Sequence, residues 1–289
     1  MPTSSFSSVS DAPTGSLSVI RPLAGAGGRH RDTARGGPAG EPATGPVTTV
    51  SERTHTVAML YPGHSAQDEY AWLAEQLDGV SLPVEHTWRG PTLHDVESLL
   101  ALGTKERLAP AALRAARIHG ADAVMWACTS GSFVYGSAGI QRQARWIADA
   151  ARVPASSTSI AFIEALRALR VTKVAVAATY PPAVTGHFVH LLTDEGFSVA
   201  ACCSRRLPTG EDTGALSPEQ VRDLIGDRFP ADVQAVVVPD TALHTLQLVE
   251  ELERGLDKIV LTANQVTAWY GLRLAGWHGR VEGLGRLFL

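Results

Sequence analysis

From Thr56 onward, short apolar runs rich in β-forming residues alternate with stretches of helical periodicity. That alternation is the strongest constraint on the fold, because parallel strands need crossover helices between them and those helices cover both sheet faces. Strands are predicted at Val57–Leu60, Val84–Thr87, Val124–Trp126, Val174–Ala177, Phe197–Ala200, Ala235–Val238 and Lys258–Leu261. Helices are predicted over 67–77, 93–100, 104–119, 140–151, 160–169, 184–195, 218–228, 241–254 and 265–274. Ser217 before Pro218 is a strong start signal, and Gly196 a stop.

The second half repeats the order of the first. In each half a first strand ends near a Tyr and a Pro (Tyr61-Pro62, Tyr180-Pro181), and a later strand ends at a reactive side chain, Cys128 or Asp240. The expected fold is therefore α/β with two pseudosymmetric lobes, each a parallel sheet flanked by helices, over 53–160 and 161–289. Chain crossover between the lobes is allowed for. Facing lobes would set Cys128 and Asp240 on opposite walls of one interlobe cleft, which is the expected active site.

Residues 1–52 are rich in Ser, Thr, Gly, Pro and Ala and bury too little to offset ordering entropy, so a disordered arm is expected. The arm lacks the apolar core of a secretory signal. Over the whole chain, 45% hydrophobic and 19% charged residues are enough for a folded domain. A net charge of −4 offers no footprint for nucleic acid or an anionic membrane, and no apolar run reaches spanning length. Three cysteines, two of them adjacent, make a poor disulfide framework and point to a cytoplasmic setting.

The chemistry concentrates at Ala127-Cys128-Thr129-Ser130-Gly131-Ser132. A thiol at the C-terminal end of a buried strand sits where open α/β sheets bind ligands. The amides and hydroxyls behind it suit an anion at a helix N-terminus, a setting expected to lower the thiol pKa. The plain alternative is a small buried hydrophobe. Asp240 before Thr241 reads equally well as a partner acid or base and as a helix N-cap. Asn264 and Gln265 are read as capping the last helix in preference to lining the cleft. Histidines lack ligand spacing, so no metal is expected, and no phosphate loop or dinucleotide fingerprint is present.

These segments, with Ser156-Ser157-Thr158-Ser159, Thr179-Tyr180 and Asn264-Gln265-Val266-Thr267-Ala268-Trp269, resemble the aspartate/glutamate racemase superfamily over about residues 55–277. The likeness is to its maleate cis-trans isomerase branch, related to arylmalonate decarboxylases and a protein of ectoine utilisation. The resemblance implies no cofactor, a small carboxylate substrate, and a homo-oligomer. It implies Cys128 and Asp240 as the catalytic pair, with Ser65, Thr129, Ser130, Ser132, Tyr180 and Thr241 around the substrate. Two positions depart from the family pattern. Asp240 stands where the second-lobe cysteine is expected, and Ser65, after His64, stands where the first-lobe loop usually has Asn. The expected activity is cofactor-independent isomerisation through a Cys128 thiolate and an enolate-like intermediate. The alternatives are decarboxylation, racemisation, and a catalytically silent ligand-binding homologue.

Overall fold

The computed structural model describes residues 54–226 and 229–289. The arm over 1–52 and the end of the helix expected to reach Arg228 lie outside them. The first sheet holds β1 (His55–Pro62), β2 (Val80–Ser81), β3 (Val84–Trp88), β4 (Ala123–Trp126) and β5 (Ala155–Ser157). Its helices are α1 (Asp68–Glu75), α2 (Val96–Leu102), α3 (Lys105–His119), α4 (Ser130–Phe133), α5 (Gly136–Ala151) and α6 (Thr158–Ala168). The second sheet holds β6 (Lys173–Ala178), β7 (Ser198–Ser204), β8 (Ala235–Val238) and β9 (Ile259–Thr262). Around it lie α7 (Pro182–Asp194), α8 (Gly210–Gly214), α9 (Pro218–Ile225), α10 (Val249–Leu256) and α11 (Ala263–Leu274).

All strand pairings within the two sheets are parallel. β2 and β3 both pair with β1, which continues to β4 and β5, and the second sheet runs β7-β6-β8-β9. Each lobe thus places its first strand, β1 or β6, between its next-formed edge strands and the strand that leads to the reactive side chain, β4 or β8, and the two orders correspond. The central strands β4 (Ala-Val-Met-Trp) and β8 (Ala-Val-Val-Val) are buried at every position. Uninterrupted apolar runs of this kind belong to strands covered on both faces.

The lobes share elements. Helix α11 follows the last strand of the second sheet, yet it packs against the first. A Cβ on Gly271 would lie 2.6 Å from Val57 and 2.8 Å from Met125, so only glycine allows this approach. Thr158 and Thr267 hydroxyls join α6 to α11 at 2.7 Å. Phe162 on α6 meets Phe188 on α7 edge-on at 5.4 Å. One continuous apolar core therefore runs from the first sheet into one face of the second, and a smaller cluster covers the other face.

One expected helix is corrected. Residues 241–245 are turn and loop, a short 3-10 turn covers Leu246–Leu248, and α10 starts only at Val249. The backbone amides of Thr245 and Leu246 leave the helical path because both donate to the buried Glu69 carboxylate, each at 2.6 Å.

Candidate active site

Cys128 lies two residues beyond β4 and Asp240 two residues beyond β8. The two sheets present these positions to one cleft, which Tyr61, Ser65, His94, Ser130 and Thr241 also line. The cleft is nearly shut, with about 20 Å3 of internal space.

Cys128 is 4% exposed. The Gly131 amide donates to its Sγ at 3.3 Å, and the Ser130 hydroxyl lies 3.9 Å away. Burial nevertheless pushes the thiol pKa up to about 12, outweighing the lowering by Gly131 and Ser130, while the Asp240 charge raises it further. The expected thiol activation is thus reversed in the resting protein. The physical reason is that α4 has only four residues, so its dipole is small, while desolvation of a thiolate is costly.

Asp240 is 4% exposed and accepts from two sides. Its Oδ1 takes the Ala242 amide at 3.0 Å, and its Oδ2 takes the Thr179 hydroxyl. The Leu243 amide donates to the Asp240 carbonyl at 3.2 Å. This is an Asx turn. Asp240 therefore does not cap a helix, since no helix follows it directly.

Two buried tyrosines hold the same loop. Tyr61 donates to the Thr241 carbonyl at 2.8 Å and accepts from the Ala66 amide at 3.2 Å. Tyr180 donates to the Pro239 carbonyl. Burial keeps both phenols far above their ordinary pKa, so both are neutral donors.

Of the residues singled out in the sequence, Ser65, Cys128, Ser130, Asp240 and Thr241 come together around the cleft. Thr129, Ser132 and Tyr180 form its backing. The Ser132 hydroxyl is engaged with the Cys128 and Thr129 carbonyls and with Ser159. His64 is exposed and stacks on His86 with ring centroids 4.2 Å apart. Cys202 and Cys203 lie on β7, beside a separate surface hollow of about 970 Å3 that contains none of the candidate residues.

Asn264 does not cap α11. Its amide donates to Glu69 at 2.7 Å and to the Thr241 carbonyl at 3.1 Å, and it accepts from Tyr70 at 2.9 Å. Gln265 does fold back onto the helix start, accepting from the Thr262 amide at 3.1 Å. Sequence reasoning gave no site role to Glu69, Tyr70, Thr92 and His94, and singled out Thr179 only beside Tyr180. Tyr70 and Glu69 both fall within the helix expected over 67–77, where nothing local marks their distant partners.

The lobes are also bridged over the cleft. Leu93 and Thr209 form an isolated antiparallel bridge. The His94 amide donates to Pro208 at 2.8 Å, and the Gly210 amide to Thr92 at 2.9 Å. The Thr92 hydroxyl donates to the Glu211 carboxylate at 3.2 Å. Among the described residues, no helix is long and apolar enough to cross a membrane. No three His, Cys, Asp or Glu side chains among them gather as a metal site.

Residues 90–288 match the family Amdase, arylmalonate decarboxylase. The chain belongs to the arylmalonate decarboxylase family. Arylmalonate decarboxylase from Bordetella bronchiseptica is 30% identical over 173 residues, which span 59% of this chain and 72% of that protein. A crystal structure of an arylmalonate decarboxylase variant in liganded form superposes with a TM-score of 0.72 at 26% identity, covering 81% of this chain and 99% of the other. A maleate cis-trans isomerase variant from Nocardia farcinica, with a covalently bound succinylcysteine intermediate, gives a TM-score of 0.73. Its identity is 23%, over 82% of this chain and 98% of the other, so it speaks to the fold. The two-lobe fold is that of the aspartate/glutamate racemase-like superfamily, as the sequence resemblance implied.

Proposed function

We propose that this family member is a cofactor-independent isomerase of a small dicarboxylate, of the maleate cis-trans type. The observation that carries the reading is the placement of a thiol and a carboxylate, one from each lobe, at equivalent strand ends facing one closed cleft. Burial holds the Cys128 thiol protonated at neutral pH, so a base must take its proton during the reaction. Asp240 is the cleft carboxylate available to do so.

In this mechanism Cys128 transfers its proton to Asp240 as Sγ bonds to one alkene carbon of the substrate. The alkene electron pair moves onto the adjacent carboxylate, giving an enediolate. The former double bond is now single and rotates. Collapse of the enediolate expels Sγ, restores the alkene in the trans form, and the Asp240 proton returns to sulfur. The Ser130 hydroxyl and the Thr129 and Ser130 amides at the start of α4 hold the carboxylate where negative charge accumulates. Tyr180 steadies the Asp240 loop from behind.

Decarboxylation of a malonate-type acid is the second reading, favoured by the 30% identical relative. It needs one residue to protonate an enediolate after carbon dioxide leaves. Incubation with maleate and with phenylmalonate in deuterated buffer, followed by proton NMR, separates the two. Fumarate from maleate supports the isomerase. An α-deuterated arylacetate from phenylmalonate, with maleate untouched, replaces it by the decarboxylase.

A further inference from the structure

The cleft contains a basic side chain that neither proposed mechanism uses. His94 is 6% exposed and lines the cleft together with Cys128 and Asp240. Its Nδ1 lies 3.0 Å from the Leu207 carbonyl. A carbonyl only accepts, so Nδ1 carries a proton and Nε2 is the free basic nitrogen. No hydrogen bond among the described residues engages Nε2. The ring is held against Tyr180, with centroids 4.8 Å apart and planes at 76°.

The charge balance of the cleft gives this nitrogen its meaning. Asp240 is the acidic group of the lining, Cys128 is a neutral thiol, and Tyr61 and Tyr180 are neutral phenols. Among the described lining residues no Lys or Arg is present. A dianion entering beside Asp240 therefore meets one group able to take up positive charge, His94. Glu211 stands outside this set, bonded to Thr92 at the bridge.

We infer that His94 is the cleft's second carboxylate-binding group, taking up a proton at Nε2 as a dicarboxylate binds, and that it selects dicarboxylates over monocarboxylates. The inference rests on the isomerase reading and names its substrate class. The start of α4, at Thr129 and Ser130, holds one carboxylate and His94 the other. A cation paired with a carboxylate resists its departure as neutral carbon dioxide, because the pairing is lost in the transition state. The same residue thus favours a reaction that keeps both carboxylates.

The test uses inert acids, so it does not depend on turnover. Succinate and butyrate have the same chain length and differ in one carboxylate. Calorimetric titration of the full-length protein with each, in two buffers of different ionisation enthalpy, reads affinity and proton uptake together. Succinate is expected to bind at least about tenfold more tightly than butyrate, with uptake approaching one proton. His94→Asn can keep the bond to Leu207 through its amide while removing Nε2. It is expected to erase both the preference and the proton uptake, with its melting temperature near that of the unmodified protein. Equal binding of the two acids, succinate binding without proton uptake, or a His94→Asn variant that keeps the preference overturns the inference. So does failure of both acids to bind. Should His94→Asn not fold, His94→Gln serves as the second variant and is expected to erase the proton uptake in the same way. Succinate selectivity without maleate turnover would leave His94 as assigned and remove the isomerase reading alone.

Discussion

Asn264 ties the buried carboxylate of Glu69 to the carbonyl of Thr241, the residue next to Asp240. Glu69 also accepts the amides of Thr245 and Leu246, so one carboxylate on α1 of the first lobe shapes the Asp240 loop of the second. Burial drives its pKa up to about 7, against the lowering by Asn264 and the two amides.

A carboxyl whose folded pKa exceeds its unfolded value binds more protons folded than unfolded. Its stabilising contribution is fully present below about pH 4.5 and is lost as pH rises through about 7. The shift corresponds to about 3 kcal/mol. Glu69→Gln removes this titration and keeps an acceptor oxygen for the Thr245 and Leu246 amides. Urea melts of both proteins from pH 4.5 to 8 should show the unmodified protein losing stability relative to Glu69→Gln across that window. A constant difference would mean that Glu69 stays ionised throughout.

Asp240 has a structural bond on each oxygen, and substitution separates structure from chemistry. Asp240→Asn keeps an acceptor for the Ala242 amide, and the Thr179 hydroxyl can reverse to accept. A loss of about 1–2 kcal/mol in stability is expected. Turnover should fall by about 10²–10⁴-fold if the carboxylate carries the thiol proton. Stability and kcat measured on the same preparation decide this, and unchanged kcat would assign Asp240 to the turn alone.

Thiol reactivity should run opposite to what a strand-end cysteine suggests. With Cys128 buried and its pKa about 12, iodoacetamide at pH 7 should label the exposed Cys202 well before Cys128. Peptide mapping by mass spectrometry over time reads the order. Cys128→Ala should nonetheless lower turnover by at least about 10³-fold. Rapid labelling of Cys128 would show that the resting cleft is open or that the thiol is already ionised.

Gly131 has little room for a side chain. An added Cβ would sit 3.0 Å from Cys128 Sγ and 3.1 Å from the Trp126 ring. Gly131→Ala should therefore shift the thiol by a few tenths of an ångström. A misplacement of that kind should cost about 10-fold or more in kcat while changing stability by only about 1 kcal/mol. Equal kcat in the two proteins would show that the position of Sγ is not critical.

The elements with one dominant signal were legible in the sequence. β4 and β8 are apolar runs bounded by turn residues, and Ser217-Pro218 starts a helix through a capping box with Gln220. The equivalence of Cys128 and Asp240 followed from the repeated strand–helix order. The stretch after Asp240 misled, because its helical spacing and an apparent N-cap are local signals. Its backbone amides instead meet Glu69, which lies far away in sequence. Glu69 and His94 were invisible for the same reason: both fall in stretches of helical periodicity, 67–77 and 93–100, where nothing local marks their distant partners.

What the sequence by itself determined is the class of fold, the two lobes, and the strand ends at which reactive side chains stand. Those follow from periodicity and turn chemistry, which act over a few residues. Only the tertiary structure decided that the Cys128 thiol rests protonated, that Asp240 closes an Asx turn, and that Glu69 and His94 belong to the Asp240 loop and the cleft. Desolvation and hydrogen-bond partnership set these properties, and both are fixed by residues that meet only when the two lobes close on each other.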